Sequence, residues 1–396
     1  MRISTAQFYA QGVSSLTEMQ SRLARTQMQL ASGNRLLSPS DDPVAAARLL
    51  DINSAVEQND QYQRNINMAR NRLGLEEQVL SDIESVLFRI RDLAIQANND
   101  TLDSSTRGYI AAESAEALDQ LVQLGNTRDA QGNFIFAGFS SDSRPFAQTA
   151  AGIRYDGDQG QRQIQIGDTR TVADGDSGDS IFMSIPNGTG TFAVSANATN
   201  SGTGVLGARA LADVALWDND TYTIEFTAAD AYTVTDSGGS TVAIGSYTSG
   251  DSISVQGVEL VLSGAPEVGD SFDVGPSTSQ DMFTTIQNFI DALDSPTNPT
   301  GIAQLHNQVG NTIEDLDRSV DNLLEFRTRV GSRLQSIDAQ EASNEDFAIT
   351  LETTRAELQE LDYAEAVTRL SQQLVGLEAA QRSFAQIQGL SLFRFI

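Results

Sequence analysis

The chain has 396 residues, long enough for two or three domains, and its lack of cysteine excludes thiolate metal sites, cysteine nucleophiles and a disulfide scaffold. It carries 53 acidic against 25 basic residues, a formal net charge of -28, and every basic residue is Arg. A chain this acidic repels phosphate backbones and anionic lipid, and no stretch approaches the ~20 apolar residues of a spanning helix, so the expectation is no nucleic acid and no membrane partner.

The first predicted element is a helix from about Ser4 to Ser32. Val13, Leu16, Leu23 and Leu30 fall on steps of three, four and seven, with Gln20 and Gln27 where further apolar residues would continue the pattern. Gly33-Asn34 supplies a left-handed stop, and Pro39 confirms the break. Ser40-Asp41-Asp42-Pro43 opens a second helix, in which Asp42 can accept hydrogen bonds from free backbone donors and Pro43 suits the first helical position. Leu49, Ile52, Val56, Ile66, Leu73, Leu80, Ile83, Leu87 and Ile90 carry that helix to about Ala97, and a third is predicted from about Ser104 to Gln123.

After Arg128 the composition shifts to Gly, Ser, Thr and Asp with short alternating apolar runs. Tyr222-Thr223-Ile224-Glu225-Phe226 and Ile253-Ser254-Val255 read as strands, and Asp156-Gly157, Asn187-Gly188, Ser237-Gly238-Gly239 and Val268-Gly269-Asp270 as turns. Helix returns from Met282 to Leu293, is stopped by Ser295-Pro296, and resumes as a long periodic segment from about Gly301 to Leu361. Near the C-terminus Val367, Leu370, Leu374, Leu377 and Phe384 repeat the opening pattern, with Gln381 and Gln388 in the equivalent polar slots.

A stripe repeating every seven residues needs another helix to cover it, and two such helices at opposite ends of a chain most naturally cover each other. The predicted fold is α+β: long paired terminal helices forming a rod-like α-helical bundle, with a β-rich domain inserted at the tip. Residues 1–40 and 363–396 form the terminal coiled-coil layer, 41–130 and 280–362 the helical bundle layer, and 131–279 the β-rich outer domain. The stripe residues are the candidate assembly interface, the alternative being an ordinary intramolecular coiled coil. The glutamines in it either fix register by demanding a partner amide, or face the tube lumen or simply tolerate polarity.

Convergent catalytic chemistry is not apparent, and neither an enzyme nor a cofactor is expected. His306 is the only histidine, which excludes a two-histidine zinc motif, and no Gly-x-Ser-x-Gly signature accompanies it. Asp174-Gly175-Asp176-Ser177-Gly178-Asp179 invites calcium, but the spacing fits no complete calcium loop and Asp-Gly pairs more often make turns. Trp217, beside Asp218 and Asp220, is a candidate sugar platform, although a lone aromatic in a β domain is usually core.

The stretch Leu30-Ala31-Ser32-Gly33-Asn34-Arg35-Leu36-Leu37-Ser38-Pro39-Ser40-Asp41-Asp42-Pro43-Val44-Ala45-Ala46-Ala47 resembles the segment joining the first two helical layers in bacterial flagellins and their axial relatives. Leu361-Asp362-Tyr363-Ala364-Glu365-Ala366-Val367-Thr368-Arg369-Leu370 resembles its partner at the other end, and Gly33, Asn34, Pro39, Asp41, Asp42 and Pro43 become the candidate inter-layer linker. Within the superfamily, Met1-Arg2-Ile3-Ser4-Thr5 and Gly132-Asn133-Phe134-Ile135-Phe136-Ala137-Gly138 resemble members at the hook-filament junction, Ser40-Asp41-Asp42-Pro43 has proline where flagellins more often have alanine, and the ending Leu390-Ser391-Leu392-Phe393-Arg394-Phe395-Ile396 departs from a typical flagellin tail. That resemblance implies a structural adaptor assembled as a homo-oligomeric ring, with the first hook-associated protein below and flagellin above. It also implies a cytoplasmic export chaperone at the C-terminal helix and secretion through the flagellar channel to an extracellular position. The alternatives are a flagellin-type filament subunit and, in another class, a surface β domain that binds a glycan or an ion.

Overall fold

The structure, a computed structural model, describes residues 5–150 and 152–389. Helices α1 (Thr5–Ser32), α2 (Pro43–Ala97) and α3 (Ser104–Gly125) precede the β region, and α4 (Met282–Leu293), α5 (Pro299–Gln359) and α6 (Tyr363–Gly389) follow it. The strands between are β1 (Phe146–Thr149), β2 (Gly152–Tyr155), β3 (Gln163–Gln165), β4 (Thr171–Ala173), β5 (Ile185–Pro186), β6 (Phe192–Ala196) and β7 (Val205–Leu211). They continue as β8 (Tyr222–Ala228), β9 (Ala231–Thr235), β10 (Thr241–Ser246), β11 (Ser252–Val255), β12 (Val258–Ser263), β13 (Ser271–Pro276) and β14 (Ser279–Gln280). The α+β class with long terminal helices and a β-rich middle is as the patterning predicts.

The chain divides into two compact units, residues 65–338 and the two outer segments up to 64 and from 339, so that α2 and α5 each contribute to both. In residues 65–338, the period of three and four along α2 buries Ile66, Leu73, Leu80, Leu87 and Ile90 against Leu305, Val309, Leu316, Leu323 and Val330 of α5, with α3 and α4 completing the cluster. Ion pairs fix the antiparallel register of α2 and α5: Arg70 with Asp338 (2.9 Å), Arg91 with Asp317 (2.7 Å), and Arg327 with both Glu77 and Glu84. At one end Phe146 meets Phe182 (4.9 Å) and Phe283 (5.3 Å), which ties the short strands to α4.

The remaining strands form two antiparallel sheets, ordered β10-β9-β8-β13-β6 and β11-β12-β7, around a second apolar cluster. Strand alternation builds that cluster. Tyr222, Ile224 and Phe226 of β8 point inward while Thr223, Glu225 and Thr227 point outward, and Val258, Leu260 and Leu262 of β12 do the same from the facing sheet. Asn307 of α5 anchors this sandwich, accepting from the Leu206 N–H (2.7 Å) and donating to the Gly204 carbonyl (2.9 Å).

Candidate assembly interface

In the unit made of the two ends of the chain, α1 and α6 pack antiparallel. At one end the ring of Tyr9 meets Phe384 edge-on (5.6 Å between centroids); at the other, Gly33 lies beneath the Tyr363 hydroxyl. The structure separates the predicted stripe into two rows. Leu16, Leu23 and Leu30 of α1 and Leu370, Leu377 and Phe384 of α6 are half-buried, and between them Thr26, Gln29 and Ala366 are buried. The second row is exposed: Val13 (52 %), Gln20 and Gln27 on α1, and Val367 (51 %), Leu374 (47 %) and Gln381 on α6. Gln388 has its side chain outside the described residues, as do the apolar Phe8, Ile387, Leu392 and Phe393.

Gln20, Gln27 and Gln381 therefore do not interrupt a covered seam within one chain. They share the open row with valine and leucine, because two helices side by side cover only one flank of each stripe. Met28, Phe347, Ile349 and Val375 are further exposed apolar residues of the same unit.

The linker between α1 and α2 is built as its residue types suggest. Gly33 takes φ +71° and its N–H closes the helix on the Gln29 carbonyl (2.9 Å). Asn34 then forms a β-bridge with Glu360: Arg35 N–H donates to the Gln359 carbonyl (2.8 Å), and Leu361 N–H to the Gly33 carbonyl (3.0 Å). The Arg35 guanidinium also reaches the Leu358 carbonyl (2.9 Å), which lies among the last, unsatisfied carbonyls of α5. Pro39 sits in the turn that follows, where Asp41 accepts from the N–H groups of Leu37 (3.2 Å) and Ser38 (3.1 Å). Asp42 caps α2 through the Ala45 N–H (3.0 Å), with Pro43 in the first position. Of two contacts that hold these helices, Tyr363 over Gly33 carries no periodic signal in the sequence, and Phe384 belongs to the stripe while its partner Gly12 does not. Only the two glycines, placed inside and at the end of a helix pattern, hint at close approach.

The acidic motif of the β region sits on a different task. Asp176 receives two bonds from Arg333 of α5 (2.7 and 2.9 Å) and one from Gln161 (2.8 Å), while Asp174 pairs with Arg162 and Asp129 with Arg72 of α2 (2.9 Å). Glu76 of α2 accepts the Asp176 N–H (3.1 Å), and burial, reinforced by the Asp176 carboxylate, pushes it up to about 8. These carboxylates bind arginines and clamp the 174–179 loop between α2 and α5. Trp217 packs between Phe192 (6.0 Å) and Tyr222 (6.3 Å), and His306 pairs with Asp100 (2.9 Å).

Residues 3–141 match the family of the bacterial flagellin N-terminal helical region. Flagellar hook-associated protein 3 of Salmonella typhimurium is 24% identical over all of this chain and 99% of its own length. The crystal structure of Xanthomonas campestris FlgL is 36% identical, covers 77% of this chain and 99% of that one, and superposes with a TM-score of 0.74. That of hook-associated protein 3 from Legionella pneumophila is 29% identical, with 78% and 98% coverage and a TM-score of 0.75. The chain belongs to the flagellar hook-associated protein 3 (FlgL) family.

A filament protein matches far less of it: the 41 kDa core protein of the Borreliella burgdorferi filament is 32% identical over only 26% of the chain. In this member of the FlgL family, Phe134, Ile135, Phe136 and Ala137 of the motif that opens the β region are buried. The Phe136 carbonyl accepts from Gly178 N–H (2.8 Å) and the Tyr155 hydroxyl (2.9 Å), and Gly138 takes φ +70° against Asp158. The motif is thus a packing junction between the helical half and the strands. The opening Met1–Ser4 and the tail from Leu390 lie outside the described residues.

Proposed function

We infer that this chain is the structural adaptor joining the flagellar hook to the flagellin filament, and the observation that carries the inference is the end-to-end likeness to hook-associated protein 3 where flagellins match only a part. A junction protein of Legionella pneumophila, 29% identical over 79% of this chain, is of the same kind. The terminal layer of residues 1–40 and 363–396 serves as the interface through which copies assemble into a ring, with Val13, Gln20, Gln27, Val367, Leu374 and Gln381 turned to neighbours. Residues 41–130 and 280–362 form the helical bundle layer, and 131–279 the β-rich outer domain. The open apolar row on α1 and α6 supports this reading, since burying it gives a free-energy return only when another copy arrives.

The first hook-associated protein lies on the hook side and flagellin on the filament side. The same apolar row explains why an export chaperone would hold the C-terminal helix in the cytoplasm before secretion. No helix among the described residues is long and apolar enough to cross a membrane. The role is one of contact and shape, not catalysis.

Deletion of the gene tests the reading. Cells that keep bare hooks and release flagellin as monomer into the medium have lost the junction; cells that still grow filaments, or lose their major filament protein, exclude it.

A further inference from the structure

Neither backbone conformation nor crowding calls for glycine at position 175. Its φ is not positive, unlike that of Gly138 in the motif that opens the β region. Gly178 in the same loop is hemmed in, since a Cβ there would sit 2.7 Å from the Phe146 ring, whereas a Cβ at Gly175 would meet nothing closer than 3.5 Å. What surrounds that point is chemically specific. The three nearest atoms are Arg72 Nε (3.5 Å), the Ile135 carbonyl oxygen (3.6 Å) and Glu76 Oε2 (3.7 Å). All three are polar, two from α2 and one from the motif that opens the β region.

Two of them are unmet. Arg72 Nε and Glu76 Oε2 are buried and, among the described residues, have no hydrogen-bond partner. Asp174 stands 3.7 Å from Arg72 Nε, beyond hydrogen-bond distance. The Ile135 carbonyl, approached by Arg72 Nη2 at a long 3.5 Å, has a lone pair to spare. Glu76 Oε1 accepts the Asp176 N–H (3.1 Å), so the proton that burial keeps on this acid sits on Oε2, which then needs an acceptor of its own. Buried donors left without acceptors are costly, and side chains this deep in a protein are normally satisfied.

The pattern of donors and acceptors selects the occupant. Two donors and one acceptor around one point suit a molecule that accepts twice and donates, which is water. A cation would face the Arg72 guanidinium, and an anion would face the carboxylates of Asp174 and Asp176, so charge disfavours both. We propose that Arg72 Nε, Glu76 Oε2 and the Ile135 carbonyl hold one buried water over Gly175, and that position 175 is glycine to leave it room. The water accepts from Nε–H and from the Glu76 hydroxyl and donates to Ile135. It ties α2, the 132–138 motif and the 174–179 loop together at the point where the helices meet the β region, whichever position the chain takes in the flagellum.

A high-resolution crystal structure of the full-length protein should show an ordered water within hydrogen-bond distance of Arg72 Nε and Glu76 Oε2. A site without water, or either atom bonded directly to a protein group, overturns the proposal. Two full-length variants test it in solution. Gly175→Ala puts a methyl group into the space and leaves the polar atoms unmet, while Gly175→Ser brings a hydroxyl that can take the water's place. Both restrict the unfolded chain alike, so the difference between them reads the hydroxyl. Gly175→Ser should melt about 2–4 °C above Gly175→Ala, the shift expected from roughly one buried hydrogen bond in a domain of this size. A serine variant that melts level with the alanine variant, or below it, overturns the site.

Discussion

The ring of Phe384 lies across the bare backbone of Gly12, so that a Cβ built at Gly12 would sit 2.7 Å from the Phe384 Cε2 atom. Glycine inside a helix costs about 0.5–1 kcal/mol relative to alanine, and the close approach of α6 explains its use there. Gly12→Val should force the ring away and weaken the α1–α6 pair by roughly 1–3 kcal/mol through overpacking. Deuterium uptake of residues 9–20 and 375–386 should rise while that of the α2 core at 66–94 stays as in the parent. Gly12→Ala should do less, since the gain in helix propensity offsets part of the strain.

Glu76 links stability to pH. Burial and the Asp176 carboxylate raise it from 4.5 to about 8, so between those values the folded state holds a proton that the unfolded chain has released. Stability therefore falls as pH rises through that window and levels off above it. Glu76→Gln copies the protonated acid and keeps an acceptor for the Asp176 N–H, so its melting temperature should be flatter with pH and higher than the parent's at the alkaline end. An unchanged slope would mean another group titrates. Arg333→Met, by contrast, strips Asp176 of two bonds inside the protein and should cost about 3–5 kcal/mol.

The helices were legible because their signals are local. Gly33, the Asp42-Pro43 start and the stop after Leu293 place the ends of α1, α2 and α4 within a residue or so of where the structure has them. The stripe at 13–30 and 367–384 was visible as a period, but a period does not say which flank a single partner helix covers, so the split between the Leu16 row and the Val13 row emerged only from the packing. Least legible was the purpose of the Asp174–Asp179 motif. Its partners Arg72 (Nε to Asp174, 3.7 Å), Arg162 and Arg333 are far apart in the chain, and nothing in the local spacing announces that three guanidinium groups converge on it.

At the linker, Gly33 combines a left-handed backbone, φ +71°, with a neighbour, since its Cβ would lie 2.8 Å from the Tyr363 hydroxyl oxygen. Gly33→Ala should lose about 1–2 kcal/mol from the backbone alone. The double variant Gly33→Ala with Tyr363→Phe separates the two causes. If the hydroxyl contact adds to the cost, the double variant melts higher than Gly33→Ala; if backbone strain is everything, it melts no higher.

Burial decides how much the bonds between α5 and the β sandwich are worth. Asn307 and Gln304 make the same kind of contact, an amide side chain meeting backbone groups of the β domain. Asn307 is buried and serves Leu206 N–H and the Gly204 carbonyl, whereas Gln304 reaches the Ala198 carbonyl (3.1 Å) nearer to solvent. Asn307→Leu keeps the volume but leaves a buried donor and a buried acceptor with nothing to bond, and should cost roughly 2–4 kcal/mol. Water can replace Gln304, so Gln304→Ala should cost less than about 1 kcal/mol. Hydrogen exchange along residues 205–211 distinguishes the two: faster in the first variant, unchanged in the second. Equal effects would mean that the sandwich is held to α5 by its apolar contacts and that the amides are incidental.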